Sequence, residues 1–225
     1  MSIVEHPKTV TPTLVAGQKL DRATFHERYE AMPPRTRAEL IGGIVYMPSP
    51  MSRDHAVENV GPIVWLDYYA EHTPGVSACL NASVLLDDLG EPQPDCSLLI
   101  LPGHGGRTRI EGEYIAEGPE LIVEIAKSSR RIDLGPKKAD YERANVPEYI
   151  VVALDPDKVF WFVLRDGRYV ELQPGPDGLY RSEVFPGLWL DPEALFTGDR
   201  KRLRAVVDQG LATDEHAGFV RRLSR

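Results

Sequence analysis

Cysteine is nearly absent: the 225 residues contain two, Cys79 and Cys96. Both have apolar neighbours, and neither belongs to a disulfide framework or to a paired zinc-ligand spacing. Reduced core thiols in a cytosolic (cytoplasmic) protein are the expectation. The N-terminus lacks a basic stretch followed by an apolar run, so no signal peptide is expected. No apolar run reaches membrane-spanning length, so no membrane partner is expected. An overall basic excess is missing as well: the net charge is −8. That counts against a protein binding nucleic acid by broad charge neutralisation, but not against an enzyme with a local basic channel. No internal repeat or low-complexity block is visible. There is no G-x-G-x-x-G and no P-loop. Gly103-His104-Gly105-Gly106 lies in a Gly-rich stretch, Pro102 to Gly118, that reads as a mobile surface loop.

What is present suits one globular domain with elaborations: a loose arm at 1–20, a domain at 21–198 and a helical tail at 199–225. The tail carries seven basic and four acidic residues, a net of +3 in an acidic chain, and reads as a solvated helix face. The centre is Pro119-Glu120-Leu121-Ile122-Val123-Glu124-Ile125-Ala126. Its near-continuous apolar run predicts a strand covered on both faces, as in the middle of an α/β sheet. Glu124 interrupts that run near its end. A carboxylate is rarely buried unless it is paired, protonated or metal-bound. Open α/β sheets also tend to hold ligands at the C-terminal ends of their strands.

Along the chain, Asp21 or Thr24 caps a short helix that stops near Met32, before Pro33-Pro34. Ala38–Ile41 and Ile44–Met47 flank Gly42-Gly43, a two-residue link suited to a primed hairpin turn. In that register Glu39 lies opposite Tyr46. Ser52 caps a helix over 53–71, which Pro62 is expected to kink or break. Val76 to Leu86 reads as one strand and Asp95 to Leu101 as another. A helix opening at Pro136 carries Lys137 and Tyr141, four apart and hence on one face. Strands follow at Glu148–Leu154, Lys158–Leu164, Tyr169–Leu172, Arg181–Phe185 and Leu188–Leu190. A short helix then runs to Phe196, and one or two helices close the chain. Trp65, Trp161 and Trp189 read as core, and His55 as a structural histidine.

Asp95 and Glu124 thus fall on two apolar strands, with a lysine-bearing helix next. Two such carboxylates can hold one hard divalent cation, with water and phosphate completing the oxygen shell. A nearby ammonium adds charge where a pentacovalent phosphate becomes negative. Glu39 is the third acid, suited to a second metal or to steering the water.

Several ordered motifs carry a family resemblance. They are Glu39-Leu40-Ile41-Gly42-Gly43, Pro48-Ser49-Pro50 with His55, Gln93-Pro94-Asp95, and the Pro119–Ile125 strand. Asp133-Leu134-Gly135-Pro136-Lys137 and Tyr141 to Tyr149 complete the series. Over roughly Thr24 to Phe196 the chain resembles the PD-(D/E)xK nuclease superfamily, and within it the Uma-type restriction endonucleases. The resemblance implies a restriction-endonuclease-like core, a mixed sheet flanked by helices, and hydrolysis of DNA with Mg²⁺ or Mn²⁺. It implies Asp95 and Glu124 as metal ligands, Lys137 as the catalytic lysine moved onto the helix, Glu39 as an additional acid and Tyr141 as a residue lining the site. It also implies a homodimer. The chain departs from the pattern in two places. Ala126 stands where the superfamily has its strand lysine, with Lys127 on the other strand face. The hairpin of the pattern has an Asp-Gly turn followed by Glu, and here those places hold Gly42, Gly43 and Ile44, so one acid is missing. Two other functions therefore stay open: a decayed nuclease fold acting as a DNA-binding or assembly protein, and a phosphoesterase acting on a smaller substrate.

Overall fold

The structure, a computed structural model, describes residues 12–47 and 60–224. Pro48-Ser49-Pro50, Ser52 and His55 lie outside the described residues. Helix α1, Arg22–Glu30, starts as expected: Asp21 accepts from the Thr24 amide at 2.9 Å. Strands β1 (Glu39–Ile41) and β2 (Ile44–Tyr46) form the hairpin, with Glu39 opposite Tyr46. Gly42 and Gly43 have φ of 58° and 75°, the positive pair that a type I′ turn needs and that glycine adopts without strain. The arm is not loose throughout. Its end pairs with β2 through Gly17 N to Val45 O and Val45 N to Gln18 O, both 2.8 Å.

Helix α2 is described from Val60 to Glu71 and continues past Pro62. The expected strand over 76–86 is two: β3 (Val76–Leu80) and β4 (Val84–Leu85), separated at Asn81, whose φ is 51°. β5 is Cys96–Ile100. The Gly-rich stretch is more ordered than expected, because β6 (Arg109–Glu111) and β7 (Tyr114–Ala116) form a hairpin there that adds to β4. β8 is Leu121–Ala126, every residue buried.

The chain turns helical at Arg130, six residues before the expected Pro136. It passes through a widened π-type turn, Asp133–Lys137, kinked at Gly135, into α3, Lys138–Arg143. β9 (Glu148–Leu154), β10 (Asp157–Arg165) and β11 (Arg168–Leu172) follow. The expected strand over 181–185 shrinks to β12, Tyr180–Arg181, paired with β13, Trp189–Leu190. Helices α4 (Pro192–Phe196), α5 (Arg200–Leu211) and α6 (Asp214–Leu223) end the chain.

The main sheet has six strands in the order β11-β10-β9-β8-β5-β3. Every neighbouring pair is antiparallel except β8–β9. A parallel pair requires a crossover, and the helical segment from Arg130 to Arg143 supplies it, which lays Lys137 and Tyr141 across one face. This is the mixed sheet flanked by helices that the motifs imply.

The faces divide by strand parity. Val123 and Ile125 of β8, with Ile150, Val152 and Trp161, pack against Trp65, Leu66 and Tyr69 of α2. Leu203, Val207, Phe219 and Leu223 of α5 and α6 join that core, so the C-terminal tail is part of the fold, with only its outer face basic and exposed. Burying each such side chain contributes about 1.5–3 kcal/mol. Trp65 and Trp161 meet edge to face at 5.9 Å, while Trp189 is only half-buried under the Arg181 guanidinium. On the opposite face, Ile122 and Ala126 pack with Tyr141, Val146, Tyr149 and Phe162. Glu124 shares their parity and therefore faces Tyr141 rather than the larger core. Both cysteines are free, Cys96 buried and Cys79 half-buried.

Candidate active site

The site forms where β8, the hairpin and the crossover helix converge. Continuing the β5–β8 register, which pairs Cys96 with Val123, sets Asp95 opposite Glu124. Directly opposed residues share a face, so the two carboxyls lie side by side. The Ile125 amide donates to Asp95 Oδ2 at 2.8 Å and fixes that carboxylate at the strand end.

Lys137 Nζ lies 2.8 Å from Glu39 Oε1 and 2.9 Å from Glu124 Oε1. The Tyr141 hydroxyl donates to the same Glu124 oxygen at 2.8 Å. The Gln93 amide donates to Glu39 Oε1 at 2.7 Å. The structure thus brings all five expected residues, Glu39, Asp95, Glu124, Lys137 and Tyr141, to one place. Lys137 succeeds where Ala126 and the exposed Lys127 do not, because the widened turn around Gly135 directs the start of the helix toward β8.

The hairpin is held against the crossover helix. The Gly42 amide donates to Asp140 Oδ2 at 2.6 Å, and Asp140 is itself bound by Arg143 at 2.9 Å. A reciprocal backbone pair, Leu40 N to Glu91 O and Glu91 N to Leu40 O at 3.1 and 2.9 Å, ties the hairpin to the chain approaching Asp95. Tyr149 donates to the Asp133 carbonyl at 3.0 Å, and its ring packs 4.9 Å from that of Tyr141.

Asp133 belongs to the site although no role for it follows from the sequence motifs. It is buried and interacts electrostatically with Lys137, Asp95 and Glu39. Its i, i+4 spacing to Lys137 is the signal that could have identified it. Burial, partly offset by Lys137 and by a hydrogen bond from Ser129, raises its pKa to about 6. Glu124 stands well above the ordinary carboxylate range. Burial is the main cause, Lys137 opposes it, and Asp95, Asp133 and Glu39 add to it. Burial alone would lower the pKa of Lys137, but the charges of Glu124, Glu39 and Asp133 outweigh that effect and hold the ammonium protonated. Desolvation keeps Tyr141 a neutral donor.

The cluster contains four carboxyls and one ammonium. Four carboxyls around one ammonium, with oxygen donors alone, fit a hard divalent cation. Among the described residues, no three His, Cys, Asp or Glu side chains form a complete metal cage. A divalent cation on two carboxylates would fill the rest of its shell with water and phosphate oxygens. Among the described residues, no helix is long and apolar enough to cross a membrane.

Residues 23–193 match the sequence model of the family described as "Uma2: Putative restriction endonuclease". No curated protein matches the chain. Among solved structures, the chain is similar to a protein from Anabaena variabilis, described as "a putative nuclease belonging to DUF820". The likeness has a TM-score of 0.59 at 17% identity and covers 76% of this chain and 96% of that one. At that identity it is a likeness of fold.

Proposed function

This chain belongs to the Uma2 restriction endonuclease family, and we propose that it is a metal-dependent DNA endonuclease that cuts by direct attack of water on the phosphodiester. The observation carrying this reading is Lys137 Nζ within 2.9 Å of both Glu39 and Glu124, with Asp95 in register beside Glu124. Asp95 and Glu124 would hold Mg²⁺ or Mn²⁺. Bound there, the ion would polarise the phosphoryl oxygen and lower the pKa of the attacking water.

The remaining work belongs to the side chains. Lys137 presents a fixed positive charge to the phosphate as negative charge develops. Because the ammonium is pre-positioned by two carboxylates, it needs no reorganisation during reaction. Tyr141 holds one oxygen of Glu124 and leaves the other for the cation. Glu39, more open to solvent than Glu124, anchors Lys137 and faces the side from which water arrives. The protein acts as a homodimer in this reading, and sedimentation at a monomer mass would refute that part.

The test is nicking of supercoiled plasmid with Mg²⁺ or Mn²⁺. We expect cutting by the native protein and none by Glu124→Gln or Asp95→Asn. Duplex binding with no cutting under either metal would instead establish the non-catalytic reading, which the missing hairpin acid at Ile44 favours. Cleavage of a small phosphodiester with plasmid spared would establish a phosphoesterase.

A further inference from the structure

Residues 127–138 hold five basic residues and one acidic one, a net of +4, while the rest of the chain sums to −12. Of these, Lys137 is buried between Glu39 and Glu124 and Lys127 follows β8 toward its other face, which leaves Arg130, Arg131 and Lys138 on the helical segment that crosses the sheet face holding Glu124. Three cations on this face rest on aromatic rings. Arg130 Cζ lies 5.2 Å from the centroid of Phe160, Lys158 Nζ lies 4.1 Å from the same ring, and Lys138 Nζ lies 3.8 Å from that of Phe162.

The strand register fixes where this surface stands relative to the site. Glu124 pairs with Val151 across β8–β9, and Val151 pairs with Phe160 across β9–β10. Glu124 and Phe160 therefore lie in one row on one face, two strand spacings or about 10 Å apart. Measured along a duplex axis, that distance is roughly three base steps of 3.4 Å each, and it is fewer along the winding strand. Asp95 extends the row on the other side of Glu124.

We propose that Arg130, Lys138 and Lys158, braced on Phe160 and Phe162, seat the phosphate backbone of the DNA strand running into the Glu124 site, within a few nucleotides of the bond cut. This rests on the nuclease reading and assigns its substrate a path. The rings hold the cations near fixed positions, which lowers the ordering cost of binding a phosphate, and cation–π contact leaves the charge outward. Three acidic or carbonyl groups face the cations: Glu171 is 3.5 Å from Lys158, the Asp155 carbonyl accepts from Arg130 at 3.3 Å, and Glu142 lies near Lys138. The Lys158–Glu171 pair is 49% and 38% exposed. Such surface pairs contribute little, so a phosphate can displace the carboxylate. The basic outer faces of α5 and α6 cover the opposite side of the sheet and contribute nothing to this path.

The experiment uses the full chain carrying Glu124→Gln, with duplex binding followed by fluorescence anisotropy over a salt series. We expect R130Q/K138Q/K158Q to reduce the slope of log affinity against log salt by about 2–3, since each phosphate that goes un-neutralised lowers it by roughly 0.9. K158Q alone, at the most exposed position, should reduce it by about 1. R200Q/R204Q on α5 should leave the slope unchanged. If the triple variant, still folded by its melting curve, keeps the parent slope, or if the α5 variant loses it, the path is refuted while plasmid cutting by the native protein stands. If the native protein neither binds duplex nor cuts plasmid, the nuclease reading fails and the path fails with it.

Discussion

Lys137→Met removes the ammonium at the centre of the site while nearly keeping its volume. It leaves Glu124, Glu39 and Asp133 facing one another in a cluster where Glu124 and Asp133 are each about 3% exposed. Breaking a buried pair from one side typically costs about 3–5 kcal/mol. Glu124 can escape part of that cost by taking a proton, since burial already raises its pKa and losing Lys137 raises it further. Its folded pKa then lies far above its unfolded one. Such a carboxyl contributes stability below the unfolded pKa and loses it as pH rises toward the folded one. The penalty of the substitution should therefore be largest near pH 8 and shrink toward pH 5, by at most about 1.4 kcal/mol per pH unit for one proton. Urea unfolding of both proteins at pH 5, 6.5 and 8 reads this directly. K137M/E124Q should recover part of the loss at pH 8, because the uncompensated charge is gone. Equal stability of K137M and the native protein at pH 8, or a penalty independent of pH, would refute the view that Lys137 offsets the buried acids.

Three further outcomes are expected. Burial raises the pKa of Glu148 to about 7, against hydrogen bonds from Ser182 Oγ at 2.6 Å and Glu183 N at 2.7 Å. Its folded value exceeds the unfolded one, so the native protein should lose up to about 3 kcal/mol between pH 4.5 and 7 on this account. The denaturation midpoint of E148Q should be flatter over that range, and a parallel pH dependence would exonerate Glu148. Tyr141→Phe removes the donor that orients Glu124, and plasmid nicking should slow by roughly 10–100-fold; an unchanged rate would make the hydroxyl incidental. Phe219→Ala empties a site where the ring meets Phe185 edge to face at 6.2 Å, and should cost about 3–5 kcal/mol by urea melt. A cost under about 1 kcal/mol would return the C-terminal helices to the role of an appendage.

Local chemistry made much of the fold legible in the chain. Asp21 announces its helix because a carboxylate beside free amides caps it in any context, and Gly42-Gly43 announces a primed turn because only glycine takes two positive φ values cheaply. The unbroken apolar run over Leu121–Ala126 announces a central strand, and the acid within it marks the site. Elsewhere tertiary contacts override the local pattern. Val76–Leu86 alternates like one strand, yet the chain leaves β5 at Asn81 so that β4 can pair with β7. The glycines of 102–118 read as a loop, but β6 and β7 pair with each other and β7 finds a partner in β4.

The charges of the basic tail do form a solvated helix face, but a helix with one charged face has the same composition whether or not its other face finds a core. By itself, then, the sequence determined which residue types were chemically unusual: an acid in a buried strand, a second acid at a strand start, and a lysine after Gly-Pro. Only the three-dimensional packing decided that these meet. The β5–β8 register puts Asp95 beside Glu124, the crossover required by the parallel β8–β9 pair carries Lys137 back over them, and Asp140 binds the Gly42 amide so that Glu39 closes on the ammonium. Those distances depend on strand alignment and helix placement across up to about a hundred intervening residues, and no local preference along the chain encodes them.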